Sequence, residues 1–294
     1  MLNDCSRPRV CMCMPVGRST TQRDVSSTWY DPGWPADPRK TTILWRREVR
    51  TGSLVDAFNQ LWRDCLNARD VGHADYMAMQ HDDVEPEAWW IDTLMAEMKI
   101  RNASVISAVV AIRDHERGRT STGVAPRDDS WSHSRCLTLE EMEHLPQTFG
   151  PSHVCLPHEV LLINTGLMLI DLRRPEWDEW IWPQDVKFLY RADGVRETRL
   201  RTEDWMFSRF CDERKIPYIC TRKVETKHWG MDYWPNRLET RVPTTKPSNG
   251  HADVTNSGVE SRSSNSCVMM TTDRYLGLAD KQTVDISKVD PRAW

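Results

Sequence analysis

The chain has 294 residues, 39% of them hydrophobic and 28% charged, with a formal charge of -4. These are the proportions of an ordinary globular protein, with length for one large domain or one domain plus an appendage. The acidic surplus argues against a protein that grips nucleic-acid backbone, because neutralising phosphates needs an excess of Lys and Arg.

The longest apolar runs, at 161–163 and 167–170, are far too short to span a bilayer, and the N-terminus lacks the order of a signal peptide. Cytoplasmic residence is therefore the expectation. The nine cysteines show no CxxC spacing, so buried free thiols are favoured over a zinc site or a disulfide framework. Cys11 and Cys13 stand two apart and would share one face of a strand. Core packing accounts for most of the 14 tryptophans, although sugar clefts also use aromatic faces.

Residues 8–15 alternate and read as a first strand, followed by a polar, Pro-rich loop over 19–40 and a second strand at 42–45. Ser53 with Asp56 three residues on gives a capping-box pattern, and Leu54, Phe58, Leu61, Trp62, Cys65 and Leu66 follow at helical spacing. Gly72 suits that helix's C-terminal cap. Residues 75–80 read as a buried central strand running into His81-Asp82-Asp83, after which Pro86 begins a helix with Ala88, Ile91, Leu94, Met95 and Met98 as its apolar stripe. Residues 105–112 form another β-branched strand. Strand, helix, strand, helix, strand is the order of an α/β sheet with right-handed crossovers.

Residues 113–135 read as loop, and 160–172 as a strand pair or strand–turn around Asn164-Thr165-Gly166. Thr202 caps a helix with Met206, Phe207, Phe210 and Cys211 inside, and a short strand at 218–221 precedes His228. Residues 1–237 are thus expected to form the catalytic domain, and 238–294, rich in Ser, Asn and charge, a polar tail.

In an open α/β sheet, ligands gather beyond the carboxyl ends of the strands. His81-Asp82-Asp83 follows such an end. Two adjacent carboxylates there repel and lose hydration, and a divalent cation carrying a diphosphate would compensate them. Turn and cap hydrogen bonds account for the pair equally well. His228 beside Asp83 would suit Mn²⁺ better than Mg²⁺. Glu203-Asp204 at a helix start is explained by the helix dipole for Glu203. The same place keeps Asp204 ionised and directed outward, as a general base needs. Asn164 beside Gly166 suits either contact with sugar hydroxyls or a simple turn.

Together, segments 74–86, 163–173 and 202–209, then Thr221 and His228-Trp229-Gly230, resemble the GT-A fold glycosyltransferases. The resemblance is to family-2-like enzymes of bacterial and phage type and covers residues 8–236. It implies a Rossmann-like, mixed, mostly parallel sheet flanked by helices. Pro15, Gly17 and Arg18 would border the nucleotide. His81-Asp82-Asp83 would stand in place of the family's DxD motif, with Asp82 contacting substrate and Asp83, His81 and His228 holding Mn²⁺ or Mg²⁺. Asp204, with Glu203 in the family's "ED" position, would deprotonate the acceptor, while Asn59, Asn164 and Gly166 would line the substrate site.

Two departures stand out: His81 replaces the first acid of DxD, and Phe58 replaces the Arg of an Arg-Asn pair that retains Asn59. The implied activity is inverting, hexosyltransferase-type transfer from a nucleotide-sugar, UDP-linked by family habit, to a carbohydrate, lipid-linked or protein hydroxyl. The alternatives are a catalytically inactive nucleotide- or carbohydrate-binding derivative and a nucleotidyltransferase. The single glycine of Pro15-Val16-Gly17-Arg18 fits the latter's phosphate loop poorly.

Overall fold

A computed structural model describes residues 7–16, 35–112, 118–128, 134–190, 194–229 and 233–236. The expected tail at 238–294 and most of the loop at 19–40 lie outside these residues. The central sheet has seven strands, in the order β2(Thr42–Arg50), β1(Arg9–Val16), β3(Tyr76–Gln80), β10(Leu167–Asp171), β5(Val105–Ala108), β13(Tyr218–Thr221) and β8(Thr148–Phe149). β1 is parallel to β2 and β3, and β5 is parallel to β13. β10 is antiparallel to β3 and β5, and β8 to β13. The sheet is mixed and most of its strands share one direction, as the strand–helix alternation predicts.

β1 shows why the sheet forms. Its side chains alternate between two buried layers: Cys11 and Cys13 pack beneath α1(Leu54–Asp70), and Val10, Met12 and Met14 lie on the face covered by α2(Trp90–Arg101). A strand buried on both faces reads as a continuous apolar run. Pro15, which has no N–H to donate, comes after the last residue of β1 that pairs with β3, Cys13. On the α1 side, Cys13 Sγ lies 3.4 Å from Cys65 Sγ. Cys11, Cys13, Cys65, Cys155, Cys211 and Cys220 are free thiols, whereas Cys136 is disulfide-bonded.

Several sequence expectations are corrected. β2 continues through Arg46, Arg47 and Glu48 to Arg50, because an outer strand tolerates charge that a central one does not. Ser53 stands at the N-cap of α1 but makes no side-chain cap bond. Pro86 does not open a helix: it ends β4(Val84–Pro86), which pairs with β14(Thr226–Trp229), and α2 begins at Trp90 after a left-handed Trp89. β14 also pairs with β15(Tyr233–Pro235).

The segment expected as loop at 113–135 contains β6(Arg119–Pro126) and the first residue of β7(Arg135–Thr138), which is followed by the short helices α3(Leu139–Glu143) and α4(Pro151–Val154). β6 pairs with β7 and with β9(Glu159–Leu162), so β9 and β10 belong to different sheets rather than forming a hairpin. After β10, Trp177, Trp180 and Trp182 pack with Trp62, Phe207 and Phe210 in one aromatic cluster. An isolated ribbon, β11(Asp185–Tyr190) with β12(Arg196–Arg201), leads into α5(Glu203–Glu213).

The β6–β7 pairing depends on Gly123, where an added Cβ would sit 2.5 Å from the Arg135 carbonyl oxygen. Backbone cannot yield as a flexible side chain would. Gly123→Ala is expected to lower stability by about 1–3 kcal/mol, measured by urea denaturation; an unchanged midpoint would contradict this close approach.

Candidate functional site

The carboxyl ends of the parallel strands β1, β3, β5 and β13 lie along one edge of the central sheet. Residues 81–83 leave β3 there, and two buried asparagines fold the neighbouring segments onto them. Asn164 Nδ2 donates to Ala108 O at 2.8 Å, its Oδ1 accepts from Gly166 N at 3.0 Å, and its own carbonyl accepts from Ser107 Oγ at 2.7 Å. His81 N–H then donates to Gly166 O at 2.9 Å. Gly166 fits closely here, since a Cβ there would lie 3.2 Å from Asn164 Oδ1 and 3.4 Å from Val84 Cγ2. Asn164 and Gly166 therefore serve as braces, and the Asn164 amide is committed to backbone rather than presented to a sugar hydroxyl.

Asn236 is the second brace. Its Nδ2 donates to Val109 O at 2.8 Å and to Val224 O at 3.0 Å, and its Oδ1 accepts from Thr226 N at 3.1 Å. This holds β14 against the end of β5 and brings His228 to Asp83. His228 Nδ1 lies 2.7 Å from Ala111 O, and its Nε2 lies 3.4 Å from Asp83 Oδ2. A carbonyl accepts only, so Nδ1 carries a proton and donates it. Nε2 is left turned toward a carboxylate. An imidazole whose far nitrogen donates to a backbone carbonyl is the usual arrangement of a metal-binding histidine. The Asp83 carbonyl accepts from Trp229 N–H at 2.7 Å, which fixes the pair's backbone on both sides.

His81 is placed otherwise. Its Nε2 lies 3.3 Å from Thr165 Oγ1, and its ring packs 5.5 Å from that of Phe58. Among the described residues, no group of three or more His, Cys, Asp or Glu side chains is arranged to hold a metal ion. The donor set that the fold brings together is Asp83 with His228, an oxygen and a nitrogen that suit a divalent cation. Asp82, beside them, is buried.

The other predicted residues are also accounted for. Asn59 Nδ2 donates to Trp182 O at 2.9 Å and its Oδ1 accepts from Trp182 N at 2.8 Å, so its amide is spent inside the protein. Phe58, in the place of the family's arginine, is buried between His81 and Trp182. Pro15 is buried near the end of β1, while Gly17 and Arg18 lie outside the described residues.

Glu203 and Asp204 begin α5, tied to the same edge because Ser208 Oγ accepts from Ile163 N at 2.9 Å and donates to Asp204 O at 2.7 Å. Thr202 stands at the N-cap as expected but makes no side-chain cap bond; its hydroxyl donates to Asp204 Oδ1 instead, and that oxygen also accepts from Trp205 N at 2.9 Å. The outward direction expected for Asp204 is corrected: both carboxylates are buried, at 4% and 7% exposure. Burial pushes the Asp204 carboxyl up against the opposing pull of its two donors. Burial, with the neighbouring Asp204 charge second, pushes Glu203 up as well. Residues given no role from the sequence complete the site: Asn236, the Ala111 carbonyl, and Thr165 within the Asn164-Thr165-Gly166 turn. The one signal for Asn236 is its position just before the compositional change.

No family model matches the sequence, and no curated protein matches it. Among solved structures, A197 from STIV is similar at 13% identity and a TM-score of 0.40, over 74% of this chain and 85% of that one. A UDP-glucose pyrophosphorylase from Leishmania major is similar at 13% identity and a TM-score of 0.29, over 56% of this chain and 37% of that one. A UDP-glucose phosphorylase from Trypanosoma brucei gives 12% identity and 0.29 over the same shares, 56% and 37%. This chain therefore spans well under half the length of those two proteins.

Because Glu203 holds its proton more tightly folded than unfolded, its contribution to stability is present at low pH. It is lost as pH rises from the ordinary glutamate range through the raised folded value. Glu203→Gln is therefore expected to melt above the parent chain at pH 8, with the gap closing toward pH 4. Thermal scans across that range check it, and a gap of the same size at both ends would contradict the burial of a charge-bearing Glu203.

Proposed function

We propose that this chain is a metal-dependent glycosyltransferase that uses a nucleotide-sugar, with the donor's diphosphate at Asp83 and His228. One observation carries the reading: His228 Nε2 is aimed at Asp83 Oδ2 while its Nδ1 is committed to Ala111 O. Asp83 and His228 would hold a divalent ion, Mn²⁺ or Mg²⁺, which when bound supplies positive charge to offset that of a departing nucleoside diphosphate. UDP as the nucleotide is carried over from the resemblance alone.

In this reading Asp204 is the general base and takes the proton from an acceptor hydroxyl as its oxygen attacks the anomeric carbon. The leaving group departs from the opposite face, which inverts the configuration. Burial favours Asp204 in this role, because a carboxyl raised above its usual range lies closer to the pH at which it works. Thr202 and Trp205 N–H act as positioning groups, both donating to Oδ1. The acid limb of turnover should accordingly fall above the ordinary aspartate range.

A second reading, a nucleotide- or carbohydrate-binding protein without turnover, draws on one observation. One Asp204 oxygen already accepts from two internal donors, which is also how a purely structural carboxylate behaves.

A thermal-shift panel of nucleotide-sugars with and without Mn²⁺ tests the donor site, since a ligand that binds only the folded state raises the melting temperature. Asp83→Ala is expected to abolish the Mn²⁺-dependent shift. Asp204→Ala should keep that shift and lose turnover by roughly 10²–10⁴-fold. Normal transfer by Asp204→Ala removes the base assignment, and a full shift in Asp83→Ala removes the metal site.

A further inference from the structure

The turn that carries His81, Asp82 and Asp83 is pinned by backbone bonds along its length. His81 N–H donates to Gly166 O at 2.9 Å, Val84 N–H to His81 O at 3.2 Å, and Trp229 N–H to Asp83 O at 2.7 Å. A side chain adds one more tie. Gln80, the last residue of β3, is fully buried, and its Nε2 donates to Val84 O at 2.9 Å. The amide thus reaches across the turn, from the residue before it to the residue after it.

This strap is costly. Gln80 Oε1 is buried and accepts no hydrogen bond among the described residues, and an acceptor taken out of water with nothing in its place is destabilising. The amide cannot turn over to relieve it, because Oε1 would then face the Val84 carbonyl, acceptor against acceptor. Side chains alternate along β3, which places Gln80 on the same face as Ala78. Ala78 and Val84 both belong to the apolar layer covered by α2. A methionine, as at Met77 and Met79 of the same strand, would fill the place without that penalty. What a methionine lacks is a donor for Val84 O. The position sacrifices core stability for the shape of the turn.

Val84 is also where the turn meets its partner strand. In the β4–β14 ladder Val84 lies opposite His228, whose Nε2 is 3.4 Å from Asp83 Oδ2. Fixing the Val84 carbonyl fixes the step between Asp83 and the strand that delivers the imidazole. We propose that Gln80 is a positioning residue for a divalent cation at Asp83 and His228, acting through Val84 to keep the two side chains facing one another. It rests on the metal reading of that pair. Groups that orient a ligand from behind, without touching the ion, set affinity, and substitution there weakens binding roughly 10–100-fold.

The test is Mn²⁺ binding to the full chain, followed by the loss of the free ion's electron paramagnetic resonance signal well below the melting temperature, so that only folded protein is counted. Gln80→Met keeps the length of the side chain and removes the donor. It is expected to bind Mn²⁺ roughly 10–100-fold more weakly than the parent. Gln60→Met, at an exposed position on α1, should bind like the parent. If Gln80→Met does not fold, Gln80→Leu makes the same comparison. A folded variant with parent-like affinity, whether or not its melting temperature falls, overturns the proposal and leaves Gln80 a structural residue. The metal reading survives that result where Asp83→Ala abolishes binding. A parent chain that takes up no Mn²⁺ overturns both.

Discussion

The arrangement of the candidate site depends on one buried amide. Asn164 joins the end of β5 to the turn before β10, and through Gly166 that turn receives the His81 backbone as β3 ends. Ser208 then fastens α5 to Ile163 in the same turn. Three strand ends and a helix start are thus fixed by short bonds to backbone, where geometry is least free to drift. Deep burial makes each of these bonds costly to lose, because an abandoned donor or acceptor would find no water in its place.

Against that rigid frame the acidic groups are held uncomfortably. Asp82, Asp83, Glu203 and Asp204 are all buried, and at Glu203 and Asp204 the loss of water favours the neutral form. At Asp204 two donors compensate in part, and at Asp83 an imidazole stands opposite. A fold selected for stability alone would place such groups at the surface. Their shared place at one sheet edge is the feature on which the proposed cation site rests, and the surrounding core of Trp, Phe and Met carries the stability that this edge does not.

How far the sequence was legible follows from where each signal was local. β1, β3, α1, α5 and β13 were readable because their apolar periodicity is strong and their ends carry clear punctuation. The pairing of Asp83 with His228 was suggested by imidazole and carboxylate chemistry and by the family resemblance, and the structure does bring the two together. What failed was whatever depends on distant partners. Pro86 looked like a helix start, yet pairing with Thr226, far along the chain, makes it a strand end. β6 looked like loop because Ser, Thr and Gly form a strand there only when β7 and β9 supply its neighbours. Asn59 and Asn164 looked like ligand contacts because an amide gives no sign in sequence of whether its partner is substrate or backbone. Asp204 looked outward-facing because β9, which packs against α5, is remote in sequence.

The place of β10 has a consequence for how the chain comes into being. It lies between β3 and β5, antiparallel to both, yet it begins only at Leu167. During synthesis the two flanking strands emerge well before the one that joins them. Until Leu167–Asp171 leaves the ribosome, the facing edges of β3 and β5 remain open to pairing with other chains. A nascent chain at that stage would be a natural client for a chaperone, and its most vulnerable interval would close only when this late strand slides in.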